Sequence, residues 1–146
     1  MASGSLFRNV ARSCVLAAAL ILPTLQASLA EETTVRRTAQ GPSGKDIQIG
    51  LYLNVLANCS SGTLPSIQMV TPPANGTAIV KRAKVALTNY KNCMALEVPA
   101  FIGIYRSKPD FAGSDRLTLT ISYPNGRTET QEIEITVGRK PGGREI

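Results

Sequence analysis

The chain has 146 residues, carries 16 Lys and Arg against 10 Asp and Glu, and contains neither histidine nor tryptophan. The missing histidine excludes Ser–His and Cys–His nucleophilic systems and imidazole metal ligands. The basic residues stand in short scattered clusters with few aromatic residues between them, which is not typical of a nucleic-acid-binding surface. We therefore expect no catalytic residues, no cofactor and no nucleic-acid partner.

The first 30 residues have the three-part layout of a secretory signal peptide. Two arginines precede an apolar run from Cys14 to Leu22, and the small residues Ser28 and Ala30 precede the acidic "EETT". The apolar run is too short for a comfortable transmembrane span, and its cysteine comes before the run, unlike that of a lipoprotein signal. We predict a periplasmic or secreted protein with no membrane span after cleavage, whose remaining 116 residues (31–146) suffice for one domain.

Two cysteines remain after cleavage, Cys59 and Cys93. An even pair in an exported chain predicts a disulfide, with two buried free thiols as the alternative. Closing a loop of that length would stabilise the domain by roughly 3–4 kcal/mol in the chain-entropy model.

Both ends of the exported chain lack apolar periodicity. Residues 31–44, in "EETTVRRTAQGPSGK", are rich in Thr, Gly, Pro and Ser and predict a flexible leader. Residues 139–146, in "GRKPGGREI", predict a tail. A single domain over residues 45–138 lies between them.

The first predicted strand lies in "DIQIGLYLNVLANC", where every odd position from Ile47 to Cys59 is apolar or cysteine. This alternation predicts one long strand, or two collinear ones, with Cys59 on the core side. Gly50 marks a bulge or bend between them. A short strand around Ser66–Val70 follows, and "TPPANG" is a turn signal.

The central segments are harder to assign. We predict that "TAIVKRAKVALT" is a hairpin folded about Lys81–Lys84. In "NYKNCMALEV" the sequence allows a helical turn, or a strand in which Met94, Leu96 and Val98 share a face. Pro99 is expected to interrupt it before "AFIGIYRS" resumes as a strand. No segment shows ten residues of helical spacing, which predicts an all-β domain.

The last two strands are joined at "YPNG". The apolar positions of "RLTLTISY" and of "QEIEITV" are all odd-numbered. A two-residue Asn-Gly loop would pair odd positions with even ones and mix the two faces. A three-residue loop over residues 124–126 pairs odd with odd and fits a type I turn followed by a bulge. A wider loop, which would set Leu119 opposite Ile135, remains the alternative.

Two stretches, "PPANGTAIV" and "IYRSKPDFAGSDRLTLTISYPNGRTETQEIEITV", resemble the repeat of bacterial immunoglobulin-like and cadherin-like domains. The resemblance covers about two thirds of the domain and is most distinctive at "PDFAGSD". It implies an immunoglobulin-like Greek-key β-sandwich of about seven strands in a surface or periplasmic protein without catalytic activity. The chain departs from the pattern because it stands alone and carries a cysteine pair that many such repeats lack.

The acidic segment "PDFAGSD" has two interpretations. Asp110 and Asp115 could begin a calcium site, although the ligand density of a calcium loop is missing. The resemblance instead implies a structural corner, in which Asp115 accepts backbone N–H bonds, Phe111 fills the core and Gly113 supplies a special dihedral. The corner is our prediction, with no metal ligand assigned. Glu97 with the two aspartates is formally compatible with a small hydrolase.

These observations predict an exported, non-enzymatic binding or structural module of the bacterial envelope. Its partner is an unidentified protein or an envelope polysaccharide. The alternatives are a calcium-stabilised adhesin-type domain and a small carboxylate-dependent hydrolase. Met94, Phe101 and Ile102 either form a binding face or belong to the core.

Overall fold

The structure, a computed structural model, describes residues 32–138. The signal peptide predicted for residues 1–30 and the tail predicted for residues 139–146 lie outside them. The all-β prediction is confirmed, because the described residues form seven β-strands in two sheets. Within this range no helix has the length and apolarity that crossing a membrane would require. The strands are β1 Glu32–Pro42, β2 Asp46–Tyr52, β3 Ser66–Thr71, β4 Gly76–Tyr90, β5 Cys93–Ser107, β6 Gly113–Ser122 and β7 Thr128–Gly138.

The two sheets enclose the main core. One sheet has the strand order β1-β7-β6-β3 and the other has the order β2-β5-β4. The β1–β7 pair is parallel and the other neighbouring pairs are antiparallel. The buried cluster draws side chains from both sheets, an arrangement compatible with a β-sandwich. Its members are Ile47, Ile49, Tyr52, Tyr105, Leu117, Leu119, Ile121, Ile133, Ile135 and Val137.

The flexible leader predicted for residues 31–44 is wrong, since most of it forms β1 along β7. Only Val35 and Ala39 are half-buried apolar residues in this edge strand, so the alternation that would reveal a strand is weak. Backbone pairing with β7 holds this strand in the sheet, and Arg36 Nε lies 3.2 Å from Glu132 Oε2 in an exposed ion pair across the two strands. The domain therefore begins at β1 and not at residue 45.

Strand β2 ends earlier than predicted, at Tyr52. The predicted irregularity at Gly50 exists, because the register with β5 shifts between Gln48 and Gly50. The extra residue reverses the alternation, so that Tyr52 is buried and Leu51 is exposed. Cys59 consequently lies in an exposed turn and not on the core side of a strand.

Strands β4 and β5 form one long hairpin. The turn lies at Lys91–Asn92, so the hairpin predicted about Lys81–Lys84 is wrong. The chain stays extended through Pro99, which pairs with Lys84 of β4. The last residue of β2 pairs with Phe101, so β2 does not reach Pro99. At Pro99 strand β5 therefore has a single neighbouring strand, and the missing N–H of the proline is tolerated there.

The last hairpin has the predicted register. Leu119 lies opposite Gln131, and the amide of Tyr123 donates to the carbonyl of Arg127 at 2.9 Å. The loop between them is Pro124-Asn125-Gly126, in which Gly126 has a φ of 86°. The three-residue loop that pairs odd positions with odd ones is thus the one observed.

Candidate functional site

The segment "PDFAGSD" forms a corner between β5 and β6. Phe111 packs against the main core, and Gly113 has a φ of 141°, which favours glycine. Asp115 is buried at the start of β6. Its Oδ1 accepts the amide of Ala74 at 3.0 Å, and its Oδ2 accepts the amide of Asn75 at 2.8 Å. The corner therefore fastens the β3–β4 connection to β6.

Two further donors complete the environment of this carboxylate. The Tyr105 hydroxyl donates to Asp115 Oδ2 at 2.8 Å, and the amide of Arg116 donates to Oδ1 at 2.9 Å. Burial raises the pKa of Tyr105, and the adjacent carboxylate raises it further, so this hydroxyl stays protonated and donates. Four donors thus use both oxygens of Asp115.

Asp110 does not join this network. It is exposed in the preceding turn, with a φ of 62°. Across residues 32–138 no group of three or more Cys, Asp or Glu side chains is placed to hold a metal ion. Because the oxygens of Asp115 are engaged by four donors, the arrangement is that of a structural anchor.

The predicted disulfide between Cys59 and Cys93 is confirmed, with Cα atoms 5.7 Å apart. It joins the β2–β3 connection to the start of β5, next to the hairpin turn. A second small core lies under this link, in which Val55 and Val98 are buried beside Cys93. The disulfide therefore holds the protruding end of the long hairpin against the β2–β3 connection.

A lateral groove of about 710 Å³ lies between the edge strands β3 and β4. Its walls are mainly apolar, and two of their residues, Ile67 and Phe101, also pack against the main core. The principal lining residues are Pro65, Ile67, Val80, Arg82, Pro99 and Phe101. Phe101, predicted either to bind or to fill the core, lies half-buried in this wall. Ile102 is half-buried on the opposite face of β5, and Met94 is 84% exposed near the start of β5.

Strand β4 offers a free backbone edge beside this groove. Within the described chain its only paired neighbour is β5, although β4 is 15 residues long. Ile79 is 48% exposed and Val80 is 39% exposed. An edge with unpaired backbone groups and exposed apolar side chains is able to pair with another extended chain.

The charge along this edge is positive. Lys81 and Arg82 form no ion pair with any residue in the range 32–138, and they lie opposite the apolar Ile102 and Phe101 of β5. Lys84 Nζ lies 3.5 Å from Glu97 Oε1, but both side chains are largely exposed. Such a pair leaves the local field positive, because solvent screens it.

The alternation of β4 places its cations on two faces. Arg82 and Val80 line the lateral groove. Lys81 and Ile79 lie on the outer face, near Ile104 of β5. A strand laid along β4 would therefore meet an apolar position and a cation on each face.

The prediction of a turn at Lys81–Lys84 concealed this edge. The signal was present, since residues 77–90 contain neither glycine nor proline. A run of that length without a turn residue favours one strand with its turn after Tyr90.

No family model, no curated protein and no solved structure matches the chain.

Proposed function

We propose that the chain is an exported, non-enzymatic, immunoglobulin-like binding module of the bacterial envelope, which binds an acidic extended segment of a partner protein along β4. The observation that carries the proposal is the free, cationic edge of β4 beside the lateral groove. The resemblance at "PDFAGSD" and the signal-like first 30 residues support the fold family and the compartment.

The strand connectivity supports an immunoglobulin-like Greek key. Immunoglobulin constant domains pair the second, fifth and fourth strands in one sheet and the third, sixth and seventh in the other. Strands β2-β5-β4 and β3-β6-β7 follow that distribution, whereas β1 departs from it, because it pairs in parallel with the last strand and not with β2. Seven strands over residues 32–138 also agree with the size of such domains.

Backbone geometry favours an extended peptide as the ligand. A strand added to β4 forms main-chain hydrogen bonds with the open edge, and its alternate side chains enter the groove. The groove side presents Val80 and Arg82, and the outer face presents Ile79 and Lys81. The best partner strand therefore carries apolar side chains beside Ile79 and Val80. It carries carboxylates beside the two cations that follow them.

Charge argues against self-association through this edge. If two copies paired antiparallel about Lys81 and Arg82, the four cations would face one another, which is destabilising. The same cations attract a strand that carries carboxylates. The edge is thus protected against its own copies and open to an acidic partner.

The test uses a synthetic seven-residue peptide in which two valines are followed by two glutamates and the pattern repeats, so that each face of the strand carries both residue types. We expect a Kd on the order of 0.1 mM, or about −5.5 kcal/mol, that weakens with added salt. Reversing both charges with Lys81→Glu and Arg82→Glu should abolish this binding and favour the peptide in which lysines replace the glutamates. Lys45→Glu, at an exposed position outside the groove lining, is the control for a charge reversal elsewhere on the surface.

A second peptide separates strand pairing from charge attraction alone. N-methylation of alternate amides keeps its charge but removes the donors that would pair with β4. Strand addition requires this peptide to bind at least about tenfold more weakly. Equal binding of the methylated and unmethylated peptides, or an unchanged affinity in the charge-reversed variant, would refute the proposal. Mass spectrometry of the exported chain tests the compartment through an N-terminus at Glu31.

A further inference from the structure

A second cleft, which we call the end cleft, opens between the two sheets where β2 and β6 end and β7 begins. Tyr90 and Lys91 form one wall, and Tyr123 and Arg127 form the other, over a floor made by residues 51–55. Its volume is about 330 Å³, at the lower end of the range of small-molecule pockets. It shares no lining residue with the lateral groove.

Each wall of the end cleft combines a tyrosine ring with a cation. The Lys91 ammonium lies 5.5 Å from the centroid of the Tyr90 ring. The Arg127 guanidinium lies 4.4 Å from the centroid of the Tyr123 ring. The two pairs come from different turns and different sheets, and the fold brings them to one cavity.

The end cleft carries an excess of positive charge. Arg127 Nη2 lies 3.8 Å from Glu129 Oε2, and Arg37 Nη2 lies 3.7 Å from Glu129 Oε1. One buried carboxylate is therefore shared by two guanidinium groups. Lys91 has no carboxylate within ion-pair distance anywhere in residues 32–138. An anionic ligand would supply the missing negative charge.

The backbone does not explain a lysine at position 91. Lys91 has a φ of 53°, in the left-handed region that few non-glycine residues occupy. Glycine would adopt this turn without a steric cost, whereas lysine does not. Lys91 lines the end cleft, so its ammonium group is available to a ligand there.

We propose that the end cleft binds an acidic saccharide, with its carboxylate paired to Lys91 and Arg127. A tyrosine ring offers an apolar face beside a polar hydroxyl, which suits a sugar ring. The Asn125 side-chain oxygen accepts the amide of Arg127 at 3.1 Å, so its NH₂ group remains to donate to a sugar hydroxyl. The Leu51 and Leu53 side chains supply the apolar part of the floor.

The experiment titrates the isotope-labelled domain with digalacturonate, with the neutral disaccharide of the same size, and with acetate, at low ionic strength. Digalacturonate should bind saturably and shift the amide signals of residues 51–55, 90–91 and 123–127. The neutral disaccharide and acetate should each bind at least about tenfold more weakly. Equal binding of acetate would reduce the cleft to a simple anion site and overturn the saccharide assignment.

Lys91→Gly is the decisive variant, because it relieves the left-handed backbone while it removes the ammonium. We expect an unchanged or higher melting temperature together with about tenfold weaker digalacturonate binding. Arg127→Gln should weaken binding similarly, and Lys45→Gln, on an exposed lysine outside the cleft, should leave it unchanged. The proposal is overturned if Lys91→Gly retains full affinity, if binding does not saturate, or if the shifted signals lie elsewhere. The peptide experiment on β4 is independent of every one of these outcomes.

Discussion

Replacing Asp115 by asparagine should remove the anchor between the β3–β4 connection and β6. The carboxylate accepts four hydrogen bonds, from the amides of Ala74, Asn75 and Arg116 and from the Tyr105 hydroxyl. An asparagine keeps one accepting oxygen and turns an NH₂ group toward the remaining donors. Two of the four bonds are therefore lost, and their donors are left facing another donor.

The magnitude follows from the number of bonds. Each hydrogen bond to a charged acceptor contributes about 1.5 kcal/mol at the lower end of its usual range. Losing two of them lowers the free energy of unfolding by about 3 kcal/mol. The total free energy of unfolding of a domain of this size is roughly 5–15 kcal/mol. The loss should therefore lower the melting temperature by about 15 °C.

The effect should depend on pH. Burial raises the pKa of Asp115, but the hydrogen bonds from Tyr105, Asn75, Arg116 and Ala74 together outweigh it and hold the pKa below its ordinary value. A carboxyl with a lowered pKa in the folded state stabilises the fold above the pKa of the unfolded chain, near 4. This stabilisation is lost as the pH falls through the folded-state pKa. The difference between the wild type and Asp115→Asn should therefore be full at pH 7 and shrink below about pH 4.

The assay is urea denaturation followed by circular dichroism at pH 7 and at several acidic values. Asp110→Asn is the matched control, because Asp110 is exposed nearby in a left-handed conformation that asparagine tolerates. It should change the stability by less than about 0.5 kcal/mol. A difference for Asp115→Asn that stays constant from pH 7 to pH 2, or one below about 1 kcal/mol, would refute the reasoning.

Two other stability changes follow from the structure. The double variant Cys59→Ser with Cys93→Ser opens a link across 34 residues and should lose about 4 kcal/mol in urea denaturation; a loss below about 1 kcal/mol would show that the β2–β3 connection is held without the disulfide. Gly50→Ala places a methyl group against the Tyr52 hydroxyl and should cost about 2–4 kcal/mol through overpacking and a broken buried hydrogen bond. Gly138→Ala, which meets nothing closer than 3.9 Å, is its control, and an equal loss in both variants would contradict the packing argument.

The buried partner of Tyr52 explains why the bulge in β2 matters. The Tyr52 hydroxyl donates to Gln131 Oε1 at 2.9 Å, and Gln131 donates in turn to Glu129. Burial raises the pKa of Tyr52 to about 12, which keeps this hydroxyl protonated as a donor. The alternation in the sequence shows Gln131 and Glu129 on the core side of β7, but it does not show which side chain satisfies them.

Part of the candidate site could be read from the residues. The corner at Asp115 was predicted as a structural anchor on a resemblance, and the structure supplies its four donors, two of which come from residues 40 and 41 positions earlier. The lateral groove could not be predicted, because β3 and β4, although consecutive in the chain, are edge strands of different sheets, and each takes its place by pairing with another strand. The end cleft likewise joins the turns at Lys91 and Arg127, which no local pattern connects.

The sequence by itself determined what is local. The alternation of apolar residues specified an all-β chain, because side chains of an extended strand point to opposite faces with a period of two. The odd-numbered apolar positions of β6 and β7 specified the three-residue loop between them, because loop length sets which faces meet. The even cysteine pair predicted the disulfide.

Only the tertiary structure decided which strands are neighbours. The parallel pairing of β1 with β7 rests on backbone hydrogen bonds, which any sequence offers equally, so a polar segment looked like a leader. Within residues 32–138 strand β4 has a single neighbour, which creates the cationic edge, and one bulged residue at Gly50 reversed the faces of β2. Edges, grooves and clefts exist only once distant segments have paired, and a pattern confined to neighbouring residues carries no record of that pairing.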